Sequence, residues 1–484
     1  MSVKNKSIEG IKWTTLNTVF NAFITPIFYI LLAVFLSPTE FAYIAVITLF
    51  FRIIPIIPKF GIEEAYIKLD KISKLQNTSL LMFNIFLTSV FIVILYFSSS
   101  SIETFYGLEN LSKTLKILMF GIFFESLEVL FVGALKRNFL FKEITLITMS
   151  GMLVRTLTTI VLITMSYSIY SYAIGIGIST LLKLILYVFI THKCKVIGFI
   201  PRFNYNALRK LLKFGFPVTL KSLLTVGNQR VDEVIIGAFL NAEQFGIYYF
   251  GKNLMTQVYT AITQTFSSVL LPLYSKLAES IIRLKDTYYK IIKFTSLLGF
   301  PILIGIVLTA DLFVPIIFGS EWEESVIVIQ ILFIAVSLPI ITGNNAVALL
   351  YSMNKPTMVL KIETITSLIY LLVLIGGLQI KQSVLVVVII HACFLVLNAL
   401  IFQYYVNKQI HSNFLALFVN MKSVISGIIL MIISIYFIKN FLIYSFGDIN
   451  KLIIIILIGA IIYVSTIIVI DKKSINEIYT LVKR

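Results

Sequence analysis

Uninterrupted apolar runs of about 20 residues are the feature that most restricts how this 484-residue chain can fold. One of them is "LIIIILIGAIIYVSTIIVI", from Leu452 to Ile470. An α-helix of about this length crosses the ~30 Å hydrocarbon layer of a membrane. Of all residues, 58% are hydrophobic and 13% charged, and the mean hydropathy is +0.97, well above that of a soluble domain. The alternating ten-residue segments of a membrane β-barrel are absent from the sequence, so it predicts an all-α integral membrane protein.

The apolar runs predict about fourteen transmembrane helices. The first is too long for a cleaved signal peptide and is expected to remain in the mature protein. Of the 40 Lys and Arg residues, 29 fall in or beside alternate loops beginning with the N-terminus, and only 5 fall on the opposite side. Because cytoplasmic loops are enriched in Lys and Arg, we predict that both termini are cytoplasmic. The predicted spans lie near residues 13–36, 41–58, 78–97, 114–135, 144–166, 169–191, 212–240, 245–271, 290–311, 324–350, 357–378, 383–403, 418–438 and 452–470.

The net charge of +17 lies mainly in short loops beside the membrane. There it sets the topology and attracts anionic lipid headgroups, so these lipids are expected partners and nucleic acid is not. The two cysteines, Cys194 in a loop and Cys393 inside a span, are not expected to meet. No disulfide, metal site or cofactor is predicted.

An internal repeat divides the chain. "FLSPTEFAYIAV" (35–46) resembles "FLNAEQFGIYYF" (239–250), 204 residues later, and "FYG" and "VGALKRN" before and at the end of the fourth span resemble "IFG" and "VALLYSMN" around the tenth. Two parallel six-helix lobes with the substrate path between them would explain this order. We predict an N-terminal lobe at 1–191, a cytoplasmic linker at 192–211, a C-terminal lobe at 212–410, and two extra helices with a cytoplasmic tail at 411–484.

Polar residues recur at helical spacing on the first, seventh and eighth spans. Residues three or four apart share one helix face, so we expect these stripes to line a shared wet path. Hydrogen bonding between helices is the alternative. The stripes consist of Asn17, Asn21 and Thr25; of Lys221, Thr225, Asn228 and Asp232; and of Asn253, Gln257, Thr260, Gln264 and Ser267.

Four charged residues, Arg52, Arg155, Glu125 and Glu128, lie near the middle of predicted spans. A charge there costs at least ~2.5 kcal/mol, so each needs a partner, water or a ligand. Two interpretations stay open: the arginines neutralise the glutamates, or they bind an anionic ligand.

Other basic residues in the spans are weaker candidates. Lys183 and Lys252 lie nearer helix ends, where snorkelling to the membrane surface is an alternative. Arg230 has Glu233 available as a partner three residues later.

The segment from Leu211 to Leu254 resembles the core signature of Wzx-type polysaccharide flippases, in the MATE-related multidrug/oligosaccharidyl-lipid/polysaccharide exporter superfamily. The matching elements are Gly-Phe-Pro (215–217), Asp232 with an apolar run to Gly237, and Phe245, Gly246 and Tyr248. The resemblance implies export of an undecaprenyl-diphosphate-linked oligosaccharide from the cytoplasmic to the periplasmic leaflet for O-antigen or capsule synthesis. It implies alternating access around a cationic cavity in the bacterial inner membrane, with a polysaccharide polymerase and a chain-length regulator as partners.

The resemblance also implies roles for residues of this chain. Arg52, Arg155 and Lys221 would bind the diphosphate, with Arg230 and Lys252 as weaker candidates. Sugar contacts would come from Asn17, Asn21, Asn228, Asn253 and Gln257, and Asp232, Glu125 and Glu128 are candidates for ion coupling.

Three alternatives are kept. A lipid II flippase would differ in the sugar carried, and a MATE-type drug antiporter would favour an acidic cavity. A glycan polymerase or ligase is disfavoured because the longest predicted periplasmic loop, 98–113, contains no His. We therefore do not expect an enzyme.

Overall fold

A computed structural model describes residues 3–68, 72–441 and 447–472. Within these ranges it does not describe the side chains of residues 3, 4, 68, 206, 207, 210, 211, 213, 214, 224, 228, 229, 265–269 and 441. The described residues form helices and no strand, which confirms the predicted all-α class. The chain falls into two compact units, an N-terminal unit (1–249) and a C-terminal unit (250–484).

The described residues of the N-terminal unit form nine helices and the start of a tenth. Within it, α6 packs between α5 and α8, α7 packs against α8 and α1, and α9 lies along α2 to α5. The helices are α1 (Val3–Phe35), α2 (Pro38–Ile53), α3 (Ile56–Lys59), α4 (Ile62–Lys68), α5 (Lys74–Tyr106), α6 (Leu111–Arg137), α7 (Phe141–Thr164), α8 (Ile169–Lys193), α9 (Tyr205–Phe239) and α10 (Ala242–Leu277), which continues into the second unit.

In the C-terminal unit, α12 packs against α11 and α14, and α13 packs against α14. The two extra helices predicted at the C-terminus pair with each other and pack on α11, where the Tyr463 hydroxyl donates a 3.0 Å hydrogen bond to the Leu297 carbonyl. The helices are α11 (Ile281–Phe318), a 3₁₀ turn (Ser320–Trp322), α12 (Ser325–Ser352), α13 (Pro356–Ile380), α14 (Val384–Gln409), α15 (Leu415–Asn420), α16 (Lys422–Phe441) and α17 (Asp448–Ile470).

Twelve segments among the described residues are long and apolar enough to cross a membrane. They correspond to all the predicted spans except the seventh and eighth, which form α9 and α10. These two helices have 35 and 36 residues, so length does not separate them from the others; their polar stripes lower their hydropathy. The chain is a multi-pass membrane protein, and the count of fourteen spans stays a prediction, as do the lobe boundaries.

The repeated stretches 35–46 and 239–250 both begin a helix. Ser37 caps α2 by accepting a hydrogen bond from the Glu40 backbone N–H, and the Glu40 carboxylate accepts a 2.8 Å hydrogen bond from the Ser37 backbone N–H. At the start of α10, Asn241 accepts a 2.8 Å hydrogen bond from the Gln244 N–H in the same way. The repeat therefore encodes a helix N-cap, whose side-chain oxygen satisfies an otherwise unpaired N–H.

A backbone contact joins α9 to the turn between α3 and α4. Phe60 and Gly61 adopt positive φ angles of 41° and 61° in this turn. A Cβ atom on Gly215 would lie 2.0 Å from the Phe60 carbonyl oxygen, so only glycine fits there. This contact explains the first residue of the Gly-Phe-Pro element.

Candidate functional site

A polar cavity of about 710 Å³ lies within the N-terminal unit, lined by side chains of α1, α3, α4, α6, α7 and α8. Four basic and three acidic side chains contribute to its wall, an unusual density of charge for helices of this hydropathy. The charged residues are Lys59, Lys136, Arg137, Lys183, Glu63, Glu125 and Glu128.

A chain of ion pairs crosses this cavity. Lys183 Nζ on α8 lies 2.9 Å from Glu125 Oε2 and 3.0 Å from Glu128 Oε2, both on α6. Lys59 Nζ reaches the other oxygen of Glu125 at 2.8 Å. The Lys183 and Glu128 side chains are only 18% and 7% exposed, so each would be costly to bury alone.

These pairs exclude one of the two interpretations of the charged residues, and ligand binding by Arg52 and Arg155 stays a prediction. The glutamates are neutralised by Lys59 and Lys183, so the interpretation that Arg52 and Arg155 neutralise them is wrong. The alternative that Lys183 only snorkels is also wrong, because its ammonium group points into the protein and binds two carboxylates.

A smaller cavity of about 250 Å³ adjoins the first, since Lys59 and Glu125 line both. Arg52 and Arg155 both line this cavity, although they are 103 residues apart in the chain. Arg52 lies in the last turn of α2, just before the break at Pro55, and its side chain is exposed. Among the described residues it forms no ion pair with a carboxylate.

Aromatic rings hold Arg155 in place. Its guanidinium carbon lies 4.7 Å from the centre of the Tyr172 ring and 5.4 Å from that of Phe28, and Nη2 donates a hydrogen bond to the Tyr172 hydroxyl. The same hydroxyl lies 3.0 Å from Thr48 Oγ1 and 3.4 Å from the Tyr29 hydroxyl. Cation–π contacts orient the charge without neutralising it, so the cavity keeps a cation beside several hydroxyl groups.

The polar stripe of α1 reaches the larger cavity at one residue. Asn17 lines it and accepts hydrogen bonds from Asn21 Nδ2 at 3.0 Å and from Thr148 Oγ1 at 3.1 Å. The Thr148 bond joins α1 to α7. For Asn17, interhelical hydrogen bonding is therefore part of the role, whereas the hydrogen bonds of Asn21 run to Asn17 within α1.

The predicted site residues on α9 differ in their surroundings. Arg230 Nη1 lies 2.5 Å from Glu233 Oε1, which confirms the expected pair. Asp232 is buried and accepts a 3.3 Å hydrogen bond from the Tyr248 hydroxyl. Lys221 is exposed, and its nine-residue separation from Arg230 places the two on opposite faces of α9. The side chain of Asn228 lies outside the described part of the chain.

The remaining predicted residues belong to the C-terminal unit. Gln257 Nε2 donates a 3.2 Å hydrogen bond to Asn253 Oδ1, as their i, i+4 spacing predicts. Lys252 precedes them on the same helix. No cavity described within this unit contains these three side chains, and their contact with a ligand stays a prediction.

Sequence reasoning missed Lys59 and Tyr172 and undervalued Lys183. Lys183 lies ten residues before the C-terminus of α8, which is about 15 Å at the 1.5 Å helical rise. That depth is a usable signal, because a Lys side chain cannot snorkel so far. Lys59 gave no such signal, since it was expected in a loop.

Comparison with solved structures defines the class of fold. The structure resembles the inward closed lipid II flippase MurJ with a TM-score of 0.76 and 16% identity, over 97% of this chain and 100% of that one. It also resembles an inward-facing multidrug resistance MATE transporter of the MOP superfamily, with a TM-score of 0.61, 13% identity, and coverage of 82% and 94%. The chain therefore has the fold that these flippases and transporters share.

The family follows from sequence comparison. Residues 31–327 match the family of polysaccharide biosynthesis proteins, and because this is more than half of the chain, the protein belongs to that family. It is 22% identical over 378 residues to the lipopolysaccharide biosynthesis protein WzxC of Escherichia coli K12, covering 78% of this chain and 76% of WzxC. It is 24% identical over 417 residues to the teichuronic acid biosynthesis protein TuaB of Bacillus subtilis 168, covering 86% of each. The resemblance to Wzx-type flippases is confirmed, and the findings together support a membrane flippase role.

Proposed function

We propose that this protein is a flippase that moves an undecaprenyl-diphosphate-linked oligosaccharide from the cytoplasmic to the periplasmic leaflet by alternating access. One observation carries the proposal: Lys59 and Lys183 neutralise Glu125 and Glu128, and Arg52 and Arg155 in the adjoining cavity form no ion pair with any carboxylate of the described residues. Two cations that line a cavity and do not form ion pairs within the described part of the protein can bind an anionic ligand.

The chemistry of such a substrate matches the side chains at the small cavity. A diphosphate cannot cross hydrocarbon unaided, and a guanidinium group binds phosphate oxygens in a bidentate manner. Sugars need many neutral hydrogen-bonding groups, which the hydroxyls of Tyr29, Thr48 and Tyr172 provide. Outward movement of each negative charge also gains ~2.3 kcal/mol per 100 mV of membrane potential.

Within this proposal Arg52 and Arg155 bind the diphosphate first, and Lys221 adds a third cation from α9. Arg230 contributes less, because Glu233 already engages its guanidinium group. Asn17 and Asn21 contact the sugar as well, although Asn17 also accepts a hydrogen bond from Thr148 on α7 and Asn21 donates one to Asn17. Asp232 is the favoured candidate for ion coupling, since Glu125 and Glu128 are occupied by lysines.

The solved structures and the sequence relatives differ in how far they distinguish the proposed function from its alternatives. The fold is shared by MurJ and MATE transporters, so it does not separate a lipid II flippase or a drug antiporter from the proposed function. The family and the names of WzxC and TuaB favour surface polysaccharide synthesis. The surplus of basic over acidic residues in both cavities disfavours cationic drugs. We further propose a bacterial inner-membrane location, cytoplasmic termini, and a polysaccharide polymerase and chain-length regulator as partners.

The deciding experiment is a set of substitutions in cells whose surface polysaccharide depends on this protein. Arg52→Ala and Arg155→Ala should each lower surface polysaccharide about tenfold or more, because a charged hydrogen bond contributes about 1.5–3 kcal/mol. Lipid-linked oligosaccharide should accumulate on the cytoplasmic side, while the amount and melting temperature of the purified protein stay near normal. Lys113→Ala, which removes an exposed cation near the start of α6, is the matched control and should have no effect.

Three results would count against the proposal. A normal amount of surface polysaccharide in the double variant Arg52→Ala/Arg155→Ala would show that these two residues do not form the diphosphate site. Rescue of cells that lack a lipid II flippase, or lowered drug accumulation without any change in polysaccharide, would assign the protein to one of the alternative classes.

A further inference from the structure

A third cavity, unrelated to the charged residues of the other two, lies in the C-terminal unit as a groove of about 760 Å³ between α13 and α14. Its wall is predominantly apolar, and several large side chains there are more than half exposed, including Ile365 and Leu397 at 57% and 58%. Phe414, just before α15, also lines the groove. A groove of this kind on two membrane-spanning helices faces lipid rather than water.

The polar groups at the deep end of the groove are already paired. Asn398 Nδ2 donates a 2.8 Å hydrogen bond to Thr366 Oγ1, which in turn donates to the Ile362 carbonyl at 2.8 Å. This end therefore offers hydrocarbon-like contacts and suits an acyl chain. It would not favour a sugar or another strongly polar group.

The other end of the groove lies at the depth of lipid headgroups. Thr357, one residue into α13, and Tyr405, four residues before the end of α14, both line it. The neighbouring α15 has only six residues, too few to span a membrane, yet it exposes Leu415 and Phe418 at 66% and 63%. A short helix with exposed apolar side chains is typical of the membrane interface, where Tyr rings are also enriched.

Lys361 is the one charged residue among the described side chains that line the groove. It lies five residues into α13, about 8 Å from the helix start at the 1.5 Å rise. Its side chain is exposed and forms no ion pair with a carboxylate in the described part of the chain. The nearest acidic residue in sequence, Glu363, is two positions away and so faces another side of α13.

We propose that this groove binds one anionic glycerophospholipid, with an acyl chain along α13 and α14 and the phosphodiester against Lys361. A single lysine is a point charge that suits a phosphodiester of one negative charge. A diphosphate would require more cationic groups than the groove contains, so the transported lipid is the less favoured occupant. With the predicted topology, the bound lipid belongs to the cytoplasmic leaflet. The proposal goes beyond the proposed function and does not depend on the charged cavities.

Native mass spectrometry of the purified full-length protein tests this site. The protein is equilibrated in detergent with equal amounts of phosphatidylglycerol and phosphatidylcholine of identical acyl chains. The wild-type protein should retain phosphatidylglycerol about fivefold over phosphatidylcholine, the ratio expected from one lysine near a lipid headgroup. Lys361→Ala should bring the ratio close to one, and Lys361→Arg should restore it. Lys422→Ala, an exposed lysine at the start of α16, is the charge control and should keep the wild-type ratio.

The shape of the groove is tested separately. Leu400→Trp should fill it and lower total lipid retention, whereas Leu385→Trp, on the same helix, similarly exposed and outside the groove, should not. Equal ratios for wild type and Lys361→Ala, or equal losses for Lys361→Ala and Lys422→Ala, would overturn the proposal. So would displacement of phosphatidylglycerol by an equimolar amount of undecaprenyl phosphate, which would make the groove a site for the transported lipid. None of these measurements uses transport as its readout, so failure here would leave the flippase proposal standing.

Discussion

Lys183 Nζ on α8 and Glu128 Oε2 on α6 lie 3.0 Å apart, in a pair that buries most of both side chains. Glu125, one turn earlier on the same face of α6, shares the lysine. The pair therefore joins two helices that also pack along their length. Because it neutralises the carboxylates, it frees the nearby arginines for another role.

The first prediction concerns this pair. Lys183→Ala leaves two buried carboxylates with less compensation, so the free energy of unfolding should fall by about 3–5 kcal/mol. The melting temperature of the purified protein reports the loss. Lys193→Ala, at the exposed C-terminus of the same helix, is the control and should leave it unchanged.

A companion substitution distinguishes charge from packing. Adding Glu128→Gln to Lys183→Ala removes one of the stranded charges and should recover part of the lost stability. A double variant as unstable as Lys183→Ala alone would mean that the lysine stem, rather than its charge, stabilises the contact between α6 and α8.

The second prediction concerns the contact between α9 and the turn at Phe60. Gly215→Ala places a Cβ atom 2.0 Å from the Phe60 carbonyl oxygen, and we expect a loss of about 1–3 kcal/mol from the forced backbone shift. The yield and melting temperature of the folded protein measure it. Gly227→Ala, on the same helix, meets no atom within 4 Å and should be neutral or slightly stabilising. Equal effects of the two substitutions would contradict the steric explanation.

The third prediction concerns motion. Pro26 and Pro217 lie inside α1 and α9, and Pro55 and Pro58 lie at the break after α2 and in α3. Since proline frees a backbone carbonyl and permits bending, Pro217→Ala should lower transport more than it lowers the amount of folded protein in the membrane. Surface polysaccharide and protein level, measured in the same cells, give the comparison. Parallel losses, or no loss, would indicate that the proline only shapes a static helix.

The fourth prediction concerns topology. Cys194 is exposed at the end of α8, in a segment predicted to be cytoplasmic, and Glu323 follows a 3₁₀ turn predicted to be periplasmic. In a Cys393→Ala background, an impermeant thiol reagent should leave Cys194 unlabelled in intact cells and label it after permeabilisation. Glu323→Cys in a chain without the native cysteines should be labelled in both conditions. The reverse pattern would invert the predicted topology.

The sequence by itself determined features that depend on neighbouring residues or on the summed hydropathy of a segment. The length of the apolar runs specified the twelve helices of the described residues that are long and apolar enough to span a membrane, and the N-caps at Ser37 and Asn241 are local interactions between residues three positions apart. The i, i+3 pair of Arg230 and Glu233 was predictable for the same reason. Gly215 and Gly246 belong to the motif by which the sequence resembles its family. The structure explains both glycines, because a Cβ atom would clash with the carbonyl oxygen of Phe60 at Gly215 and of Pro38 at Gly246.

The tertiary structure alone decided which charges on different helices pair with each other. Lys59, Lys183 and Glu125 belong to three helices, and no period in the sequence relates α3 and α8 to α6. Their pairing depends on which face each helix turns toward its neighbours, which is set by packing over the whole unit. The same packing brought Arg155 against Tyr172 and beside Arg52, and so separated the cations that stabilise the fold from those available to a ligand.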